Sequence, residues 1–183
     1  MLARISNTFY SVSTGWAALF GLVVFVLFMI FVLPQQAEKA EIYSSGVSPD
    51  TSYIYSASDL YQMAEDYGVE GRAAYIYARF TFDLIFPIAY LFFLTTSISW
   101  LLTRGLSEGS RWRLLNLFPL TGVVFDYLEN TSASLVLGRY PAQTPVVDVL
   151  APIFTAMKWF FVNGSFVILM LGMLLLVWRR LRR

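Results

Sequence analysis

From Gly15 to Pro34 the chain runs for 20 residues with no charged side chain and no polar group except the Trp16 indole. As a helix this run rises about 30 Å, which matches the hydrocarbon thickness of a bilayer. It is too long for the apolar stretch of a secretory leader, which spans about 7–15 residues. It therefore reads as a membrane-spanning helix, with Trp16 at one interface and Pro34 closing the other end. Gly15 and Gly21 are out of GxxxG register, so no dimerisation motif is read.

The remaining sequence supports the same class. Hydrophobic residues make up 57% of the chain and charged residues 14%, against about 45–50% and 25% in soluble domains. Mean hydropathy is +0.61. The fold expected is all-α: an integral membrane four-helix bundle forming a single transmembrane domain over residues 1–183. Its spans fall near 15–34, 79–102, 114–137 and 155–178.

Residues 35–72 form a polar insert with seven acids against Lys39 and Arg72. Its 44–52 stretch reads as loop from its Ser, Gly, Pro and Asp content. Ser56 followed by Asp59 resembles a capping box. Leu60, Met63, Ala64 and Tyr67 then recur at helical spacing, predicting a short amphipathic helix over 57–67 that stops at Gly68. It is expected to lie on the membrane surface, to cover the bundle mouth, or to belong to a solvated connector with one helical turn packed on the spans. Further on, Pro152 is expected to kink the last helix or to divide a short interfacial helix from the span.

Basic residues set the orientation. Arg4, the 104–113 loop and the RRLRR ending hold eight of the thirteen Lys and Arg residues. Four spans put all three segments on one side, read as the cytoplasm of a cell (inner) membrane protein with both termini inside. The acidic insert is then extracytoplasmic.

The candidate site lies in the third span, where Val123 to Ser134 reads VVFDYLENTSAS. Asp126, Glu129 and Asn130, at i, i+3 and i+4, share one helix face. A charge in the hydrocarbon layer costs at least about 2.5–3.5 kcal/mol, so two acids in one turn need partners, water or protons. Helix rise sets Asp83 about 12 Å outward of its span's centre and Asp126 near midplane. Asp83, Asp126, Glu129, Asn130, Asn163 and Lys158 then share the outer half of the bundle, and no comparable gathering is read in the inner half. Pro87 frees the Asp83 carbonyl, because proline removes the i+4 hydrogen bond. Lys158 taken alone reads as a snorkelling interfacial lysine, and Arg72 and Arg79 as interfacial anchors or partners of nearby acids.

The chain has neither cysteine nor histidine. Disulfides, thiolate chemistry, histidine-ligated metals or haem and a Ser-His-Asp triad are therefore not expected from it. No cofactor or metal is called. A hard cation on oxygen ligands is the one metal its side chains would suit. The net charge of +1 gives no field for nucleic acid.

Residues 68–90, GVEGRAAYIYARFTFDLIFPIAY, and residues 117–130, LFPLTGVVFDYLEN, resemble segments of uncharacterised bacterial four-span membrane proteins. The resemblance covers about a fifth of the chain and carries no activity with it. The layout of four spans with acids in the outer half is also similar, in architecture, to the emopamil-binding and sigma-2-receptor superfamily. Isomerases of that group use a pocket histidine that this chain lacks. The similarity therefore implies an apolar-ligand pocket rather than isomerisation.

Three readings follow. The first is an outward-facing, carboxylate-lined pocket for a lipid-like or cationic small molecule, with proton transfer by Asp126 and Glu129 as its chemistry if it is an enzyme. The second is a structural or assembly subunit with protein partners, in which Asp126, Glu129 and Asn130 tie helices together through hydrogen bonds to Tyr, Ser, Lys158 or Arg79. The third is a transporter or proton-coupled channel.

Overall fold

The computed structural model describes residues 1–44 and 46–182. Ser45, within the loop expected over 44–52, and Arg183, the last residue of the basic ending, lie outside the described residues. All regular structure among the described residues is helical. The helices are α1 (Leu2–Val12), α2 (Gly15–Ser44), α3 (Ala57–Asp66), α4 (Gly68–Arg79), α5 (Phe82–Gly105), α6 (Phe118–Arg139) and α7 (Val147–Leu181). Among the described residues, three stretches are long and apolar enough to cross a membrane: Gly15–Ser44, Gly68–Gly105 and Val147–Leu181. The α6 helix forms over 22 residues where another span was expected. Its acids and hydroxyl residues leave it less apolar than those three.

Proline positions explain where the helices depart from expectation. Pro34 does not end α2, which continues to Ser44. A π-helical turn over Phe28–Val32 precedes the proline, and the Leu33 N–H reaches back to the Phe28 carbonyl. That widened turn takes up the proline's missing donor and its ring. Pro152 lies inside α7 without dividing it. Pro119 falls in the first turn of α6, where its lack of an N–H costs nothing.

The chain divides into two compact units. The first is Met1–Val26, Ile88–Val123 and Phe160–Arg183, and the second is Leu27–Pro87 and Val124–Trp159. In the first, Phe25 stacks on Phe93 at 5.1 Å. Gly21 packs so closely that an added Cβ would lie 2.9 Å from the Phe93 Cα. Asn116 is fully buried. Its Oδ1 accepts from Ser6 Oγ at 2.8 Å, and its Nδ2 donates to the Ser6 carbonyl at 3.2 Å and to Ser99 Oγ at 3.1 Å. This polar knot is one that the apolar reading of that region did not anticipate.

In the second unit, α3 begins as expected. Ser56 Oγ accepts from the Asp59 N–H, and Asp59 Oδ2 accepts from the Ser56 N–H, closing both arms of a capping box. Gly68, at φ +62°, turns the chain into α4, a conformation glycine adopts without strain. Leu60, Met63 and Ala64 of α3 join Ala133, Val136 and Leu137 of α6 and Ala151 of α7 in one buried cluster. The amphipathic helix thus packs on α6 and α7. Arg72, expected as an anchor or acid partner, instead donates from Nη1 to the Ala64 carbonyl at 2.7 Å and lies over the Tyr140 ring. It satisfies an orphan carbonyl near the end of α3.

Candidate functional site: a buried ionic network beside a cavity

The helical break at Phe80–Thr81 builds the first half of the site. Arg79 closes α4 and Asp83 sits in the first turn of α5. Each charge therefore lies at the helix end that favours it, a cation at a C-terminus and an anion at an N-terminus. The two side chains pair directly, Arg79 Nη2 to Asp83 Oδ2 at 2.7 Å, and both are buried. Near the same turn, Tyr127 Oη donates to the Leu84 carbonyl at 2.9 Å. The carbonyl expected to be freed by Pro87 is that of Asp83, the preceding residue.

The second half comes from α6 and α7. Asp126, Glu129 and Asn130 are all buried, as their shared face requires. Asn130 Nδ2 donates to Asp126 Oδ1 at 3.2 Å. Glu129 is wholly buried and meets Lys158 Nζ through Oε2 at 2.6 Å. Lys158 is only 4% exposed. The snorkelling reading of this lysine is therefore corrected: its ammonium is enclosed between carboxylates. On α7, Ala151, Thr155, Lys158, Ser165 and Gly172 form one buried stripe at helical spacing. Asn163 lies five residues beyond Lys158, about 140° around the helix. It is exposed, unlike the buried residues of the network.

Asp50 connects the two halves. It sits in a one-turn 3-10 helix, Pro49–Thr51, behind the buried Pro49. The segment is held from the side by Tyr67 Oη, which donates to the Val47 carbonyl at 2.7 Å. Asp50 Oδ2 lies 3.0 Å from Arg79 Nη1, and Oδ1 lies 2.8 Å from Lys158 Nζ. Burial alone would raise the Asp50 carboxyl; Lys158 and Arg79 outweigh it and hold the carboxyl well below the ordinary carboxylate range. Nearby, Tyr55 Oη hydrogen-bonds Thr155 Oγ1 at 3.0 Å. Burial pushes that phenol up, so it stays neutral.

The continuous chain of contacts is Asp83–Arg79–Asp50–Lys158–Glu129, with Asp126 and Asn130 on the same α6 face as Glu129. Four acids face two bases, so full ionisation leaves an excess of negative charge. Glu129 Oε1 and Asn130 Oδ1 are buried and without a hydrogen-bond partner among the described residues. Asp50 was missed in the sequence reading, whereas Arg79 was read as an interfacial anchor or a partner of nearby acids and pairs with two of them. The Arg79–Asp83 spacing of i, i+4 was a usable signal for half of this.

A cavity of about 1130 Å³ adjoins the network. Its walls come from Phe28–Ser44 of α2, the Asp50 turn, α4 and the first residues of α5. Asp50, Arg79, Lys39 and Glu41 are its charged lining, and Tyr43, Tyr67, Tyr75 and Tyr77 line it as well. None of the six residues expected to line a pocket borders this space. Five of them are packed in the network behind Asp50 and Arg79, and the sixth is Asn163. No protein-family model, curated protein or solved structure matches the chain.

Proposed function

We propose that this chain is a four-span membrane protein, with α6 as its additional crossing and both termini in the cytoplasm, that binds an amphipathic cation in the cavity beside Asp50. The observation that carries the ligand is the pairing of a carboxylate with aromatic and apolar walls. Asp50 is 31% exposed at the cavity edge while the rest of the network is nearly closed. Tyrosine faces near a carboxylate suit an ammonium group. Phe28, Val32, Leu33, Phe82 and Ile85 supply the surface for an alkyl tail. The excess of acids over bases in the network favours a cationic headgroup over an anionic one. The network then has one task at the cavity: it holds the Asp50 turn in place. The orientation rests on the basic loop and tail.

The test uses protein reconstituted in neutral-lipid nanodiscs, with tetradecyltrimethylammonium and tetradecyl sulfate added at equal low mole fraction. The melting temperature should rise with the ammonium amphiphile and not with the sulfate. The rise should vanish in Asp50→Asn and in Ala78→Trp, which fills the cavity wall. Equal responses to the two amphiphiles, or a response kept by both variants, would sink the proposal. The network would then stand as a helix-tying device alone.

A further inference from the structure

The segments of the first unit carry eight of the thirteen Lys and Arg residues and one of the twelve acids, Glu108. Two helix ends gather much of this charge. At the C-terminus of α5, the Arg104 guanidinium lies 4.0 Å from the Trp100 ring centroid, and its Nη1 donates to the Trp100 carbonyl at 3.1 Å. At the C-terminus of α7, Arg182 lies 4.2 Å from the Trp178 ring centroid. Arg179 Nη1 reaches the Arg104 carbonyl at 3.5 Å, which joins the two ends.

Tight backbone packing holds them together. A Cβ on Gly105 would meet Leu175 Cδ2 at 2.7 Å, and one on Gly172 would meet Leu101 Cβ at 3.2 Å. Arg104, Arg179 and Arg182 are exposed, and among the described residues no carboxylate pairs with them. Each stacked arginine keeps guanidinium N–H groups free of any carboxylate, and the Trp178 ring is itself exposed. Arginine forks match phosphate oxygens, and tryptophan settles at headgroup depth.

We propose that the paired ends of α5 and α7 form a binding site for the phosphate of an anionic lipid headgroup. The inference rests on membrane insertion of these helices and is independent of the ligand proposed for the Asp50 cavity. Two cationic forks on adjacent helix ends, each backed by an indole, suit a phosphodiester presented at the bilayer surface. A free phosphate ester in the cytoplasm offers the same chemistry, so the test separates the two sources.

The probe is brominated phosphatidylglycerol against brominated phosphatidylcholine in vesicles holding the full chain, read by tryptophan quenching. Quenching should report a preference for phosphatidylglycerol on the order of fivefold or more, the scale of one to two basic contacts at an anionic surface. The preference should shrink with salt and fall toward unity in the triple variant Arg104→Gln, Arg179→Gln, Arg182→Gln. Millimolar glycerol phosphate should leave it intact; displacement by the soluble ester would overturn the lipid assignment in favour of a free phosphate. A wild-type preference near unity, or one unchanged in the triple variant, would overturn the site. Co-flotation with neutral vesicles reports insertion separately, so failure to insert is distinguishable from failure to select. The melting temperature of the triple variant, whose three side chains are exposed, should match the wild type and so exclude misfolding.

Discussion

Replacing Lys158 by Met probes the energetics of the buried network most directly. Met retains most of the apolar stem, so the charge is what is lost. In the native protein Nζ lies 2.8 Å from Asp50 Oδ1 and 2.6 Å from Glu129 Oε2. Asp50 is partly exposed and keeps Arg79 as a partner, so its share of the loss is small. Glu129 is wholly buried, and its Oε1 already lacks a hydrogen-bond partner among the described residues. Removing one member of a buried ion pair costs about 3–5 kcal/mol, because the other charge is left without compensation. Adding Glu129→Gln removes that orphaned charge and leaves a buried amide, whose incomplete hydrogen bonding costs about 1–3 kcal/mol. The double variant should therefore be more stable than Lys158→Met alone, by about 1–2 kcal/mol. Unfolding in mixed micelles by sodium dodecyl sulfate, followed by circular dichroism, measures all four corners of the cycle. A loss below about 1 kcal/mol for Lys158→Met would refute the reasoning, as would a double variant that falls to the sum of the two singles.

Two further outcomes follow from the same geometry. The Asp50 carboxyl is held below its ordinary value of 3.8, so the stability it contributes is fully present above that pH and is lost only as pH falls through the lower folded value. Asp50→Asn should therefore be less stable than wild type from pH 7 down to about 4, with the margin closing only in stronger acid; a margin already gone at pH 5.5 would contradict this. Gly21→Ala should destabilise the first unit by about 1–3 kcal/mol, because the new Cβ would press on the Phe93 backbone rather than on a flexible side-chain tip. A neutral result in the same unfolding assay would show that the helices can separate there without cost.

Local patterns in the sequence carried well into the structure, and long-range ones did not. The capping box at Ser56 and Asp59 depends on residues three apart, and it formed as read. The shared face of Asp126, Glu129 and Asn130 follows from helix period alone, and all three are buried. Asn163 failed for a reason the same period contains. Once Lys158 faces inward, a residue about 140° away faces out. Lys158 itself was misjudged because a lone lysine near a helix end usually reaches for water. Contacts with Glu129 and with Asp50, 108 residues earlier in the chain, together make burial tolerable. Asp50 was hidden among seven acids of a polar insert. What sets its place is the Tyr67 hydrogen bond to Val47 and the burial of Pro49, neither of which has a sequence period. Pro34 was read as a stop because the π turn that accommodates it has no compositional marker.

The ionic network also has a direction in time. Its members leave the ribosome in the order Asp50, Arg79, Asp83, Asp126, Glu129, Lys158. Arg79 emerges soon enough to receive Asp50 and Asp83. Glu129 has to wait about 1.5–6 s at ordinary synthesis rates before its lysine exists. On the proposed membrane reading, α6 enters the bilayer during that interval with its acid unmatched, so it must linger at the insertion site or carry a proton until α7 arrives. A message truncated before Lys158 would leave that state permanent. The fragment would carry Glu129 on α6 without the lysine that meets it in the finished chain.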